Sequence, residues 1–324
     1  MNPKMTLEDA AHYLGRSQAF VYTELQNKNL SLSGNDTHLY FQHATAKSLF
    51  QIPFNPKVYV FQILKGGTGK TSLALEFAVR ASLYGAKVVC IDLDQQGNLT
   101  QALNQNAEDT PVMIDVLAEG YQLFDSLLFV NEGIDLLPSR IENAMLDEVL
   151  RLKKLPLNRV YRDIFKQLKQ HYDVVIVDCP PSLGQSVAAS ALAADCLIAP
   201  VTPEKFALSG LASMRQSVGE LEQAYNVTIP SRIVLNKFEE NSSRSNETWQ
   251  WLSKHPEYQD KLSDCRIHLA SELPEAALKM GSIFDEVQSS LIKSDIDKLT
   301  QTLLEIEAGV VKKHQKIPSE YIFV

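Results

Sequence analysis

An α/β fold with a doubly wound, mostly parallel sheet, preceded by a small helical unit, is what this sequence predicts. Three observations carry the prediction. Short, near-continuous apolar runs alternate with helical stretches from residue 57 onward, as strands covered on both faces by helices do. A glycine-rich loop, Lys65-Gly66-Gly67-Thr68-Gly69-Lys70-Thr71-Ser72, stands between the first such run and a helical stretch. Residues 51–57, QIPFNPK, hold two prolines within four residues, which stops a helix and sets the first 50 residues apart. The expected organisation is a unit at 1–50, a linker at 51–56 and a larger domain at 57–324.

Composition narrows the function classes. The 324 residues are 45% hydrophobic and 22% charged, ordinary for a globular chain. No run of about 18 apolar residues suits a membrane span, and the first residues lack the apolar core of a signal peptide. The four cysteines lie far apart without a CxxC pair, so buried free thiols in a reducing cytoplasm are expected. A net charge of −8 does not favour nucleic acid. DNA contact would have to come from local patches or from charge gathered by assembly.

Taken in order, Thr6 followed by Asp9 has the form of a capping box opening a helix through Leu14. Gly15 supplies a turn and Ser17 caps a second helix. Ala11, Gly15 and Val21 fall at helix-turn-helix spacing: a small residue for close approach, a glycine for positive φ, a β-branched residue for packing. Residues 38–41 are a candidate wing strand. Arg16, Gln18 and Tyr22 then become candidate DNA-contacting side chains. A helical cap used only for dimer contacts has the same spacing, so both readings stand.

The expected strands are 58–64, 87–93, 134–137, 173–177, 196–201, 232–235 and 266–269, linked by right-handed crossovers. An amphipathic helix over 282–307 is expected to close the structure. In the loop, small residues let backbone N–H groups curl around an anion, and the helix at 72–83 adds its positive end. Gly66, Gly67, Thr68, Gly69, Lys70, Thr71 and Ser72 are thus candidate nucleotide-binding residues. Lys70 is suited to the β- and γ-phosphates and the Thr71 hydroxyl to Mg²⁺. The strand–loop–helix context speaks against a plain glycine turn.

Two acidic segments follow strands, where open α/β sheets bind ligands. In Asp92-Leu93-Asp94, alternation sends both carboxylates to one side; a helix N-cap is the bland alternative. Val174-Val175-Ile176-Val177-Asp178 has the Walker B form, with Asp178 holding a Mg²⁺-bound water. Pro180-Pro181 stiffens the chain just beyond, where a γ-phosphate switch is expected.

The loop departs from the general GxxxxGK[ST] pattern at Leu64 and carries an extra lysine, Lys65. That KGGxGKT form is the deviant Walker A signature of the ParA, MinD and nitrogenase iron-protein group. The segments DLDQQGN at 92–98, DCPPSLG at 178–184 and PVTPEKFAL at 200–208 agree with it, although Gln95 replaces the usual proline. The chain resembles the ParA partition ATPases over residues 57–280, and specifically the larger type with an N-terminal winged helix-turn-helix. The resemblance implies a P-loop NTPase fold, ATP and Mg²⁺ as cofactors, and weak intrinsic ATPase activity. It implies a catalytic set of Lys65, Lys70 and Asp94, with Lys65 crossing a dimer interface and Asp94 orienting water. It implies metal contacts from Thr71, Asp92 and Asp178, adenine contacts near Pro203 and Asn236, and Arg244 on a DNA face. The implied partners are a second copy in an ATP sandwich, non-specific DNA, a ParB-like protein, and operator DNA through the N-terminal unit. A cytoplasmic, nucleoid-associated protein without membrane contact follows from the same resemblance.

Other readings share these motifs. A MinD-like membrane ATPase needs an amphipathic end, and residues 312–324 contain Pro318 and lack that periodicity. A positioning ATPase for a protein cargo would carry every ATPase motif, as would an ATP-sensing repressor. A nitrogenase-type reductase fails for lack of motif cysteines. Leu269 and Glu272 stand where some relatives carry arginine, while Lys312, Lys313 and Lys316 give a basic end.

Overall fold

The computed structural model describes residues 1–35 and 38–309. Lys312, Lys313, Lys316 and the terminal segment weighed above as a membrane helix lie outside the described residues.

The N-terminal unit opens with β1 (Met5–Thr6), α1 (Leu7–Leu14) and α2 (Gln18–Asn27), followed by β2 (Ser33–Asn35), β3 (His38–Phe41) and α3 (His43–Phe50). Thr6 Oγ1 accepts from the Asp9 N–H at 3.0 Å, and Ser17 Oγ from the Phe20 N–H at 3.2 Å, satisfying donors the helix starts leave free. Gly15 turns the chain at φ 59°, a value glycine adopts without a Cβ penalty. Ala11 and Val21 are buried between the helices. The three strands form an antiparallel sheet in the order β1-β3-β2.

The larger part is an eight-stranded sheet. Its strands are β4 (Lys57–Phe61), β5 (Val88–Asp92), β6 (Leu128–Asn131), β7 (Ile134–Leu137), β8 (Val174–Asp178), β9 (Cys196–Val201), β10 (Ser231–Phe238) and β11 (Leu262–His268). They lie in the order β11-β10-β9-β4-β8-β5-β7-β6, and every neighbouring pair is parallel except β6 with β7. From central β4 the chain winds first to one side and later to the other, which makes the carboxyl end of β4 a switch point.

Alternation along the strands feeds two apolar layers. Tyr59, Phe61, Cys90 and Ile176 face α4 (Lys70–Leu83) and the C-terminal helix Leu291–Leu304. Val58, Val60, Ile91 and Val177 face the helices Leu157–Leu168, Gln185–Ala193 and Lys205–Tyr225. Each fully buried ring or branched side chain contributes about 1.5–3 kcal/mol of transfer free energy. The N-terminal unit has no separate core, because Leu7, Tyr13, Val21 and Leu49 belong to the same apolar layer as α4.

Arg80, in the last turn of α4, is the joint between these parts. It is 1% exposed, donates to Asp297 at 2.6 Å and to Asp9 at 3.3 Å, and lies 5.0 Å from the rings of Tyr84 and Phe284. Asp9 therefore spends its carboxylate on Arg80, so Thr6 supplies only half of the expected capping box. The closing helix also differs from expectation. Ser282 and Asp285 cap a short turn at Ile283–Asp285, and extended Glu286 (ψ 154°) delays the helix to Leu291.

Candidate nucleotide site

The carboxyl ends of β4, β5, β8, β9 and β10 bring Lys65, Lys70, Thr71, Asp92, Asp94, Asp178, Pro203 and Asn236 to one edge of the sheet. The loop after β4 is pinned from behind. Asn236 Nδ2 donates to the Thr68 carbonyl at 2.8 Å, and Lys237 Nζ to the Gly67 carbonyl at 2.9 Å. Gly69 sits at φ 91°, and a Cβ there would lie 2.2 Å from Asn236 Nδ2. Glycine is thus required twice over, by conformation and by the close approach of Asn236.

The charges around the loop are unevenly paired. Lys70 is 7% exposed, and the hydrogen bond found for its ammonium is a long 3.5 Å contact to the Lys65 carbonyl. Burial lowers its pKa, against the opposing pull of Asp178 and Asp94. Thr71 Oγ1 donates to Asp178 Oδ2 at 2.7 Å. Asp178 Oδ1 is buried and has no hydrogen-bond partner among the described residues. Asp92 and Asp178 are cross-strand neighbours, and burial pushes both pKa values above the usual carboxylate range, helped at Asp178 by the negative charge of Asp92. A buried, incompletely paired acid beside a hydroxyl is the environment a hard cation relieves. Among the described residues no three His, Cys, Asp or Glu side chains close on one point.

Asp92 and Asp94 differ in their surroundings. Asp92 Oδ2 accepts from Thr100 N–H at 2.9 Å and Thr100 Oγ1 at 2.7 Å, and its Oδ1 from Asp94 N–H at 3.1 Å. Its oxygens are therefore engaged with the turn that leads into the short helix Asn98–Ala102. Asp94 is buried and, among the described residues, accepts from Gln96 N–H at 3.0 Å, and it lines the cleft above the loop.

That cleft holds about 730 Å³. Gly66, Gly67, Gly69, Lys70, Thr71 and Ser72 form one wall; Leu273, Pro274, Ala277 and Leu278, on the helix Glu272–Leu278, form another. Thr68 is buried behind the loop. Pro203 lies instead in a neighbouring cleft of about 620 Å³, with Glu204, Arg244 and Trp251. Asn236 is buried beneath the loop with its amide bonded to backbone. Lys65, at the mouth, is ion-paired with Glu204. Arg16, Gln18 and Tyr22 are exposed at the start of α2, with the Arg16 guanidinium 5.4 Å from the Phe20 ring. Arg244 is exposed on the helix Ser243–Lys254.

Sequence reasoning missed the apolar wall, the Thr100 clamp on Asp92 and the pairing of Glu204 with Lys65. Glu204 stood inside a quoted motif, but nothing local marked it as the partner of Lys65.

Residues 56–231 match the AAA domain family. The cell division protein PomZ of Myxococcus xanthus is 30% identical over 251 residues, covering 76% of this chain and 77% of PomZ. The virulence plasmid ParA family protein pGP5-D of Chlamydia trachomatis is 29% identical, covering 76% of this chain and 93% of that protein. Among solved structures, an ATP complex of McdA from Cyanothece has a TM-score of 0.70 at 22% identity, covering 79% of this chain and 98% of that one. A plasmid partition protein of Borrelia burgdorferi bound to AMPPNP has a TM-score of 0.61 at 22% identity, covering 78% and 100%. The structural likenesses support the fold.

Proposed function

The chain belongs to the ParA group of the AAA domain family, a group of partition and positioning ATPases, and from that premise we propose that it is an ATP-driven DNA partition ATPase. The observation that carries this reading is the second lysine: Lys65 stands at the mouth of a loop whose own lysine, Lys70, is already buried inside. One cation serves the phosphates in cis. The other, at the mouth, is free of that task and in this reading serves a second copy.

In this reading Lys70 and the loop N–H groups hold the β- and γ-phosphates. Thr71 and Asp178 would hold Mg²⁺, which would neutralise charge on the phosphate oxygens. Asp92 positions the turn that carries Asp94, and Asp94 orients the attacking water. The wall of Leu273, Pro274, Ala277 and Leu278 receives the adenine, and Asn236 supports the base side by fixing the loop. Two copies close face to face, each Lys65 reaching the partner's nucleotide, where a dehydrated cation is worth most. The closed dimer binds DNA without sequence preference through Arg244 and neighbouring surface. A ParB-like protein speeds hydrolysis and release. Residues 1–50 act as a helix-turn-helix unit that reads an operator through Arg16, Gln18 and Tyr22.

The test is affinity for random-sequence DNA at fixed salt with ATP, with ADP, and with ATP on Lys65→Ala. Tight binding with ATP alone, lost in the variant, is expected. Equal weak binding in all three would overturn the DNA-carrier reading. It would favour an ATPase positioning a protein cargo, a reading supported by exposed Leu269 and acidic Glu272 after β11.

A further inference from the structure

The lysine needed in trans is held in cis. Lys65 Nζ pairs with the Glu204 carboxylate, in the loop between β9 and the helix Lys205–Tyr225. The contact joins residues 139 positions apart, so it ties the phosphate loop to a separate crossover. Gly210 lies against the Lys65 stem, where a Cβ would sit 3.5 Å from Lys65 Cβ. The side chain is therefore directed along that helix toward Glu204.

We propose that Glu204 is a cis latch on Lys65, which must open before Lys65 can cross to a second copy. The inference rests on the sandwich-dimer reading and names its regulation. Lys65 is 27% exposed and Glu204 53%, so the pair lies at the surface, where an incoming phosphate can compete for the ammonium. An exposed pair of this kind is worth roughly 1.5- to 5-fold in an equilibrium. Closing a symmetric dimer opens two latches, so the pair shifts the dimerisation constant by the square, roughly 2- to 25-fold. The latch releases cleanly. Lys237 and Arg244 also act on Glu204, so its carboxylate still faces cations after Lys65 has left. The γ-phosphate of a second copy draws Lys65 away, and weaker anions leave the latch shut.

The experiment uses the full chain with Mg²⁺ and a non-hydrolysable ATP analogue. Sedimentation equilibrium measures dimerisation of the wild type, Glu204→Gln, Glu204→Asp and Lys65→Ala, and a fluorescent ADP measures nucleotide affinity of each monomer. Glu204→Gln is expected to dimerise 2- to 25-fold more strongly at unchanged ADP affinity and melting temperature. Glu204→Asp, which keeps the charge, is expected to return toward the wild type. Dimerisation of Glu204→Gln equal to or weaker than the wild type overturns the latch while the sandwich reading stands. Lys65→Ala dimerising like the wild type overturns the sandwich reading, and the latch with it.

Discussion

Lys70 and Arg80 are two buried cations at opposite ends of α4, and they have opposite surroundings. Arg80 is saturated: two carboxylates and two aromatic rings enclose it, and Asp297 leads the charges that raise its pKa against the cost of burial. Lys70 has one long contact to a carbonyl, and burial dominates a lowered pKa. A buried charge matched by protein groups holds structure together; a buried charge left short of partners is poised for a ligand. One helix thus carries a joint at its end and, at its start, a buried lysine with few protein partners among the described residues.

Breaking the joint gives the largest expected effect. Arg80→Ala takes the cation from Asp297, leaving it the Tyr84 hydroxyl and the Gln301 amide, and from partly exposed Asp9, and is expected to cost about 3 kcal/mol in denaturant unfolding. A loss below about 1 kcal/mol would mean the pair is more solvated than its burial indicates. Lys70→Ala is the mirror case. It removes a charge whose desolvation is poorly offset, so the melting temperature is expected to hold or rise. ATP hydrolysis is expected to fall by about 10²- to 10³-fold, the scale for losing one preorganised electrostatic contact. A destabilised Lys70→Ala protein would erase the contrast between the two ends of α4.

The same contrast explains what was legible in the sequence. Strands Ile134–Leu137 and Cys196–Val201 have the expected limits because the apolar runs coincide with the paired residues, although burial continues past them to Ser139 and Pro203. The phosphate loop was legible for a local reason: its chemistry lies in consecutive residues. Gly15 and the Ser17 cap are local in the same way. Strand β6 was not legible, since it is an edge strand with Phe129 exposed and exists by pairing back on β7 across Gly133. Nor was the cleft wall: the helix Glu272–Leu278 has no buried residue, and Leu278 is 84% exposed, so no core periodicity announces it. The Arg80–Asp297 pair spans 217 positions. Such pairings are set by tertiary packing, and single-sequence patterns carry no trace of them.

Between the two cations, α4 carries a third buried charge carrier, Glu76, and it gives the gentlest test. Its Oε2 lies 2.5 Å from Ser282 Oγ and its Oε1 accepts from the Ile283 N–H at 3.2 Å, tying the corner after the cleft wall to the phosphate-loop helix. Burial raises its pKa to about 8, partly countered by the Ser282 and Ile283 hydrogen bonds. The folded pKa therefore exceeds that of the unfolded chain, and below the ordinary glutamate range both states are protonated. As pH rises from there, the unfolded state ionises first, so the folded state loses its relative advantage until the folded group ionises near 8. Glu76→Gln keeps a neutral side chain of the same shape at every pH. Compared with this variant, the wild type is expected to match it in melting temperature near pH 4 and fall progressively below it up to about pH 8. The gap should then stay constant. A gap that does not change with pH would show that Glu76 is ionised throughout in the folded chain. In that case α4 would hold two unmatched charges near the cleft instead of one, and the division between its matched and unmatched ends would lie further along the helix.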